Sequence, residues 1–575
     1  MSVLDYSILV AYLVGLLSCG VYLSRQASKD SEAYFLGGRK LPWWALGASG
    51  MTSNLDAAGT MTIVTLLYLF GAHGFFIEMR GGVVLPIAVF LAFMGKWHQR
   101  SQVVTTAEWM NLRFGQGFGG RSARFLAALT YLVITIGMVV FFLAAAGKFL
   151  AVFLPFSPEA CSIGMAIVAL VYTLMSGLFG VVWTDVFQGG LIAAAAIYIS
   201  VRAGLLVDVD LLANWEGARY NTALPRWSDQ GLGEYSFFGA FLLAWMAKGI
   251  VEGLGGSGGS AYMAQRFYAA RSAAECEKIG MLWTILFAFR WPMAIGIAII
   301  GIHLGIGNED PERVLPQVLT SDFFPSGIRG IVIAALFAAS MSTFDSTINA
   351  GASYVVRDIF VPLRRNATER AQVLCGYAAS VGIVAIGLTL AMLVVDSVVD
   401  AWVTIVIQLF PAFLIPFMLR WFWGRFNGEG FSMGILFGFA ASLTVAWSEL
   451  AAGWNEVQVL AGIGGFSLVG CMIGTFFFSP VDQAVLQRFY ETVRPNGIWP
   501  NEWKAEHRSE LWKNWIRLAV ALVWQISTFM LPMFLVLKQW TTAAGLTLLW
   551  LIAFWALKRL RDPEENTSSP KMMKG

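Results

Sequence analysis

The chain has 575 residues, of which 57% are hydrophobic and only 13% are charged. Soluble domains carry about 25% charged residues, so the composition excludes a soluble globular protein. Apolar runs recur along the whole chain, about 15 in all, and each is long enough to cross a ~30 Å hydrocarbon core. The sequence therefore predicts an all-α polytopic membrane protein whose main partner is the lipid bilayer.

Charge and cysteine content narrow the function further. The net charge is +3, and five cysteines are scattered without the spacings of a disulfide framework or a zinc site. We expect no nucleic-acid partner and no obligate protein partner. No hydrophilic stretch is long enough for an independent catalytic domain, so we predict that the protein is not an enzyme.

The order of the apolar runs gives the predicted topology. The spans lie near residues 5–24, 43–70, 77–95, 124–154, 158–178, 183–204, 236–256, 280–306, 328–356, 371–395, 400–420, 431–449, 458–478, 517–537 and 541–557. Most Lys and Arg, including Arg266, fall on alternate connections that become cytoplasmic when the N-terminus lies outside. We therefore predict an integral protein of the plasma (cell inner) membrane, with its N-terminus outside and its C-terminus in the cytoplasm.

Two spans are interrupted by glycine and small polar residues at matching positions, five spans apart. The first reads "WWALGASGMTSNLDAAGTM" (43–61) and the second "AWMAKGIVEGLGGSGGSAYMAQRF" (244–267). Such breaks free backbone carbonyls, which are tolerated at membrane depth only beside a cavity or protein. Matching broken helices indicate an inverted-repeat transporter with a site at the midplane. The alternative is that these glycines only allow close helix packing.

The span at 328–356 carries polar residues that lipid would not favour. In "AALFAASMSTFDSTINAGASY" (334–354), Ala339, Ser342, Thr343 and Ser346 share one helix face. Their oxygens suit a hard cation. Asp345, beside them, needs a cation, a partner or a proton, because an ionised carboxylate in the membrane costs a few kcal/mol. Asp185, in an earlier span, is predicted to lie at the same depth. Two nearby carboxylates repel unless a cation or a shared proton lies between them.

Several of these segments resemble one known family. "GASGMTSNLDAAGT", "SGLFGVVWTDVFQ", the predicted cytoplasmic "AQRFYAARSAAECEKIG" and "AASMSTFDSTINA" are similar, in this order, to motifs of the sodium:solute symporters. The resemblance runs from about residue 5 to about residue 480. It implies a LeuT-type fold of two inverted five-helix repeats, with one extra N-terminal helix and several extra C-terminal helices.

The resemblance also implies a division of the chain. The expected units are 1–40 (N-terminal helix and loop), 41–210 (first repeat), 211–428 (second repeat), 429–480 (two added helices), 481–516 (cytoplasmic linker) and 517–575 (C-terminal helices and tail).

The resemblance implies one sodium site and suggests another. The first would use the carbonyls of Thr52, Leu55 and Ala339 with the hydroxyls of Ser342 and Thr343. The second, present in some relatives, would correspond to Asp185, Ser342, Asp345 and Ser346. Asp345 departs from the family pattern, where hydroxyl residues are usual, so this step is either a second Na⁺ site or proton-sensitive.

Candidate substrate residues come from the breaks and from the resemblance to the sugar carriers. Asn54 and Tyr262 lie at the two breaks, while Glu78 and Gln408 match a glutamate and a glutamine of those carriers. Gly59 stands where those carriers have His or Gln. Arg290 lies near their seventh-helix lysine and could pair with a ligand carboxylate. Alternatively, Arg290 pairs with Glu252 or Glu78 within the protein.

These features together predict a secondary active transporter. We expect Na⁺-coupled symport of a small polar solute (a sugar, sugar acid or organic acid) by alternating access, with Na⁺ as the coupling ion. The alternatives are a proton-coupled carrier and a substrate sensor on the same scaffold.

Overall fold

A computed structural model describes residues 1–27, 35–256, 261–307, 310–364, 366–395, 397–504 and 508–561, and these are helical nearly throughout. The one β-bridge within these ranges joins Trp423 and Ile498.

The helices follow in chain order. The first half contains α1 (Val3–Ala27), α2 (Trp43–Thr52), α3 (Ala57–Phe70), α4 (His73–Ile77), α5 (Val84–Val89), α6 (Gly95–Ser101), α7 (Trp109–Phe114), α8 (Phe118–Ala151), α9 (Pro158–Leu206), α10 (Val209–Asn214), α11 (Phe238–Leu254) and α12 (Ala261–Tyr268). The second half contains α13 (Ala273–Phe287), α14 (Arg290–His303), α15 (Val314–Thr320), α16 (Ile328–Tyr354), α17 (Glu369–Val394), α18 (Val398–Val403), α19 (Pro411–Phe422), α20 (Gly428–Trp447), α21 (Glu456–Phe477), α22 (Gln483–Val493), α23 (Asn501–Lys504), α24 (Arg508–Val536) and α25 (Trp540–Arg559).

The predicted all-α membrane architecture is confirmed. Over the described ranges, nine helices are long and apolar enough to span a membrane, and eleven if two sharply bent helix pairs each count as one span. Three shorter apolar helices lie within the predicted spans 5–24, 43–70 and 158–178. The sequence count of about 15 exceeds these totals because several core helices are broken or short.

The first predicted break is present. Helix α2 ends at Thr52, and α3 begins at Ala57 after a non-helical segment. The Asp56 side chain caps α3 by accepting a hydrogen bond from the Gly59 N–H at 2.6 Å. This segment is buried, so its freed carbonyls face protein rather than lipid. In the second predicted break, α11 ends at Leu254, and residues 257–260 lie outside the described part of the chain.

A third break falls where the sequence predicts a continuous span. The helical segment His73–Arg80 meets Val84–Ser101 at an angle of 79°. Glu78 opens a short 3₁₀ turn at this bend. Gly82, directly after the turn, has φ +65°, a conformation that favours glycine. The bend turns Glu78 towards the centre of the bundle.

Helix α16 lies at the centre of the bundle. Every residue from Val332 to Tyr354 is buried, and the helix continues through a π-helical segment, Val355–Phe360. Its N-terminus is held by Asp5 of α1, whose carboxylate accepts the N–H groups of Gly327 at 2.8 Å and Gly330 at 3.0 Å. An anion at a helix N-terminus is stabilising. The polar face of α16 therefore contacts protein, not lipid.

Connections predicted to lie on one side of the membrane do contact one another. Arg39 donates to the backbone carbonyls of Tyr268 at 2.8 Å and Gln102 at 3.0 Å. Lys96 pairs with Glu510 of the linker region at 3.0 Å. These contacts place four predicted cytoplasmic connections at one end of the bundle.

The last two helices pack on the bundle. In α24, the Phe529 ring contacts the rings of Phe287 and Trp291, with centroids 5.7 and 6.2 Å apart. Gln525 donates to the carbonyl of Val84. Helix α24 therefore packs against both α5 and the α13–α14 junction.

Candidate functional site

A small cavity of about 50 Å³ lies beside the α2–α3 break. Its lining residues are Asn54, Asp56, Gly59, Glu78, Gly82, Val83, Met138, Phe141, Phe142, Glu252, Tyr262, Arg290, Trp402 and Phe410. Four of the five predicted substrate residues therefore meet at one cavity.

Asn54 connects the two sides of the cavity. Its Oδ1 accepts a hydrogen bond from the Tyr262 hydroxyl at 3.1 Å, which joins the two predicted breaks. Its backbone carbonyl accepts from Arg290 Nη1 at 3.0 Å. Its Nδ2 donates to the carbonyl of Gly50 at 2.8 Å. These bonds hold the Asn54 side chain in place at the cavity.

Arg290 occupies the space that Gly59 leaves free. A Cβ atom at Gly59 would lie 2.4 Å from Arg290 Nη2 and 3.4 Å from Asp56 Oδ2. The glycine thus lets the guanidinium approach the unwound segment and the Asp56 carboxylate together. This accounts for the departure at Gly59 from the His or Gln of the sugar carriers, because here Arg290 fills that position.

Three carboxyl groups line the cavity, and two of them keep an oxygen with no hydrogen-bond partner among the described residues: Glu78 Oε2 and Glu252 Oε1. Both side chains are buried. The other oxygen of Glu252 accepts from Lys248, four residues earlier on α11, at 2.8 Å. The two open oxygens are acceptors, which suit hydroxyl or N–H donors of a solute.

Part of the cavity lining is apolar. It consists of Met138, Phe141, Phe142, Trp402 and Phe410. Gln408 lies between Trp402 and Phe410 in a π-helical segment, Thr404–Leu409, and is half-buried. It is not one of the described residues that line the cavity, and its backbone carbonyl accepts from Ser442 at 2.9 Å. The structure thus separates Gln408 from the other predicted substrate residues.

The polar face of α16 reaches the same unwound segment. The Ser340 hydroxyl accepts the N–H of Ala57 at 3.0 Å, at the first residue of α3. Ser342 and Thr343 are buried, and Thr343 Oγ1 donates to the Ala339 carbonyl at 3.1 Å. Thr52, at the end of α2, bonds the carbonyl of Asp185 at 3.0 Å. Thr52 and Ser342 both bond Asp185, so the end of α2 and the middle of α16 lie beside the same residue.

Three of the four residues predicted for the second sodium site already have hydrogen-bond partners: Asp185, Ser342 and Ser346. Ser342 donates to Asp185 Oδ1, and Ser49 donates to Asp185 Oδ2 at 2.5 Å. Ser346 Oγ accepts from Arg266 Nη2 at 2.6 Å. Asp345 is fully buried, and neither of its carboxylate oxygens has a hydrogen-bond partner within the described ranges.

Arg266 also lies in this region, although we did not predict it here from the sequence. It was expected on a cytoplasmic connection, yet it lies in α12 with 0% of its surface exposed. Its guanidinium Nη2 is 3.6 Å from Asp185 Oδ2. The motif "AQRF" gave no signal of burial, because positive charge near a span end is normally read as a loop.

Other cavity residues were also missed. Asp56 lies in the first predicted break, but an Asp at this position equally indicates a helix N-cap. Trp402 and the Phe141–Phe142 pair belong to apolar spans in which one-dimensional sequence does not distinguish a lipid-facing from a cavity-facing ring.

Comparison with known proteins is consistent with this geometry. The sequence profile of the sodium:solute symporter family matches residues 34–438, more than half of the chain. A sodium/sialic acid symporter of Aliivibrio fischeri is 25% identical over 473 residues, which are 79% of this chain and 89% of the relative. A sodium/glucose cotransporter of Vibrio parahaemolyticus is 25% identical over 76% of this chain and 84% of the relative.

The fold has a solved counterpart. The structure of a Na⁺-coupled sialic acid symporter, in a substrate-bound outward-open state, superposes with a TM-score of 0.68 at 22% identity. The match covers 84% of this chain and 99% of that chain. The predicted fold class is therefore confirmed, and the chain is a transporter rather than an enzyme. By its family profile and the course of its helices, the chain belongs to the sodium:solute symporter family.

Proposed function

We propose that this symporter carries a small hydroxylated solute, a sugar or sugar acid, into the cell together with Na⁺. The observation that carries the proposal is the cavity beside the α2–α3 break, which is lined both by unpartnered acceptor oxygens of Glu78 and Glu252 and by aromatic side chains. Hydroxyl groups satisfy such acceptors, and the face of a sugar ring packs on aromatic side chains. The relatives named for sialic acid and glucose agree with this class.

We assign the coupling Na⁺ to the first predicted site, between Thr52, Leu55, Ala339, Ser342 and Thr343. Support comes from the bond between Ser340 and Ala57, which holds α16 against the unwound segment. Sodium at this junction ties α16 to the break and so favours one state of the transporter over the other. Coupling requires that one state bind Na⁺ more tightly than the other, because an ion with equal affinity for both states does not shift the equilibrium between them.

We further propose that the protein resides in the plasma (cell inner) membrane with its N-terminus outside. Inward movement of each Na⁺ then gains ~2.3 kcal/mol per 100 mV of membrane potential. Arg290 contributes a donor to the solute on the Asn54 side of the cavity. Its guanidinium already donates to the Asn54 carbonyl and lies near Asp56. A solute therefore needs hydroxyl groups to bind here but does not need a carboxylate.

The test is uptake into proteoliposomes that contain the purified full chain. An inward Na⁺ gradient should drive accumulation of at least one radiolabelled compound from a panel of neutral sugars, sugar acids, amino acids and short carboxylates. The expected substrate is a sugar or sugar acid. Uptake that follows an imposed pH gradient and ignores Na⁺ would contradict the proposal and favour the proton-coupled alternative.

A further inference from the structure

A second cavity, of about 690 Å³, lies at the end of the bundle that is predicted to face the cytoplasm. Its lining comes from α7, from the first turns of α8 and from residues 357–363, which continue α16. Among the described residues, none lines both this cavity and the solute cavity. The volume is large enough for a ligand of its own, and the proposed sodium and solute sites leave it unexplained.

The charged side chains around this cavity do not cancel. Arg124 pairs with the buried Asp358, Nε to Oδ1 at 2.8 Å, and Arg357 Nη2 lies 3.6 Å from Glu108 Oε1. Arg121 also lines the cavity; its side chain is exposed and has no acceptor among the described residues. Three arginines thus face two carboxylates, and the remaining positive charge favours an anionic ligand.

An unsatisfied acceptor lines the same cavity. The buried atom Asn111 Oδ1 has no hydrogen-bond partner within the described ranges. A carbonyl oxygen of this kind accepts a hydrogen bond from a hydroxyl group. The cavity therefore suits an anion that also carries hydroxyl groups.

Exposed apolar side chains form another part of the lining. Phe125 follows Arg121 by four residues on α8, so the two side chains share one helix face and Phe125 lies about 6 Å further into the predicted span 124–154. The Phe125 side chain is 52% exposed and that of Leu363 is 82% exposed. Arg121 thus lies at the height of lipid headgroups, while Phe125 reaches towards the acyl chains.

We propose that this cavity binds one anionic phospholipid of the cytoplasmic leaflet. Its phosphate lies beside Arg121, its hydroxylated headgroup reaches Asn111, and an acyl chain covers Phe125 and Leu363. Basic pockets between transmembrane helices on the cytoplasmic side are known to hold anionic lipid headgroups. A free anion would gain nothing from the two apolar side chains. The bound lipid joins α8 to the end of α16, whichever solute the protein carries.

The experiment measures lipid binding without Na⁺ or solute, so its outcome does not affect the proposed transport function. Purified, delipidated full-length protein is titrated with dioleoyl-phosphatidylglycerol or dioleoyl-phosphatidylcholine, and bound lipids are counted by native mass spectrometry. The first phosphatidylglycerol should bind about tenfold more tightly than phosphatidylcholine. Equal affinities would overturn the proposal.

A competition arm separates a lipid from a soluble anion. Millimolar glycerophosphoglycerol, which is the same headgroup without acyl chains, and millimolar inorganic phosphate should both leave the phosphatidylglycerol bound. Displacement of the lipid by either compound would identify a site for soluble anions and would overturn the assignment to a lipid.

The first variant tests the positive charge. Arg121→Gln should weaken phosphatidylglycerol binding about fivefold, as expected for one basic side chain near the membrane surface. Arg488→Gln is the matched control, because Arg488 is exposed in the linker on the same predicted side and does not line the described cavity. Unchanged binding by Arg121→Gln protein, or an equal loss in Arg488→Gln protein, would contradict the proposal.

The second variant tests the acyl-chain contact. Phe125→Ala should weaken phosphatidylglycerol binding several-fold, because it removes apolar surface that the chain covers. Phe477→Ala should not, since this ring is 82% exposed at the end of α21, outside the residues that line the cavity. Wild-type affinity in Phe125→Ala protein would overturn the acyl-chain contact and, with it, the assignment to a lipid.

Discussion

Substitution of Ser342 is the most direct single-residue test of the proposed sodium site. It is fully buried and donates to Asp185, so its hydroxyl faces the interior of the bundle. Its position on the ion-facing side of α16 was predicted from helix periodicity, because Ala339, Ser342, Thr343 and Ser346 share one face. Its hydrogen bond to Asp185 was not predictable, since it depends on the packing of α9 against α16.

Ser342→Ala should raise the Na⁺ concentration for half-maximal uptake by about tenfold or more, because a neutral methyl group replaces an ion-facing oxygen. Thermal stability should change much less. Ser353→Ala is the control, since Ser353 is also buried on the same helix but, among the described residues, bonds only its own helix, to the Ala350 carbonyl. Unaltered uptake by Ser342→Ala at limiting Na⁺ would count against the sodium site.

Gly59 is the residue that admits Arg290 to the solute cavity. Gly59→Ala places a methyl group 2.4 Å from the present position of Arg290 Nη2, so the guanidinium must move. We expect solute affinity to fall roughly tenfold, a loss of about 1.4 kcal/mol, while Na⁺ binding is unchanged. The measurement compares uptake KM with ²²Na⁺ affinity.

Gly164→Ala serves as the control for this change, because a Cβ there meets nothing within 4 Å. A normal KM in Gly59→Ala protein would show that the position of Arg290 does not matter to the solute.

At Gln408, the role that the family resemblance implies differs from the position that the structure gives the residue. The resemblance makes it a solute ligand, whereas its side chain is not among the described residues lining the cavity. Gln408→Ala should therefore change uptake KM by less than about twofold, within the range of most substitutions away from packed or polar features. Asn54→Ala, measured in parallel, should abolish most uptake. A large loss in Gln408→Ala would restore its assignment as a ligand.

At the scale of elements, the breaks in the core helices were only partly visible in the sequence. The α2–α3 break was predicted from its glycines and polar residues, and Asp56 caps the new helix as such a break requires. The bend after Glu78 was not predicted, because "EMRGGVV" reads as the start of a span. Glycine permits a bend in a helix but does not require one, and whether the helix bends there depends on packing.

Helix α16 depends on α1 for its N-terminal anchor. Asp5→Ala removes the acceptor for the N–H groups of Gly327 and Gly330 and leaves both donors unsatisfied. Loss of a helix N-terminal acceptor costs about 1–2 kcal/mol, so the melting temperature in detergent should fall by several degrees. Na⁺ affinity should remain unchanged, since the sodium residues lie further along the helix.

Ser7→Ala, an exposed change on the same helix, should leave the melting temperature within error. Equal stability of Asp5→Ala and Ser7→Ala proteins would show that α1 does not anchor α16.

At the scale of the whole molecule, the positive-inside pattern predicts the orientation of the protein in the membrane. The predicted cytoplasmic connections contact one another, which agrees with their lying at one end of the bundle. Cysteine labelling in a background without the five native cysteines tests this. Leu224→Cys, exposed in the 205–235 connection, should react with an impermeant maleimide added outside intact cells. Glu502→Cys, exposed in the linker, should react only after permeabilisation. The reverse pattern would invert the topology and the proposed direction of uptake.

The central claim is that the unwound segment and the polar face of α16 together hold an alkali ion. A cryo-electron microscopy map of the purified chain in NaCl tests it most directly. We expect one density peak between the carbonyls of Thr52, Leu55 and Ala339 and the hydroxyls of Ser342 and Thr343, and we expect it to disappear when N-methyl-D-glucamine replaces Na⁺. A junction without a sodium-dependent peak, in a map that resolves these oxygens, would contradict it.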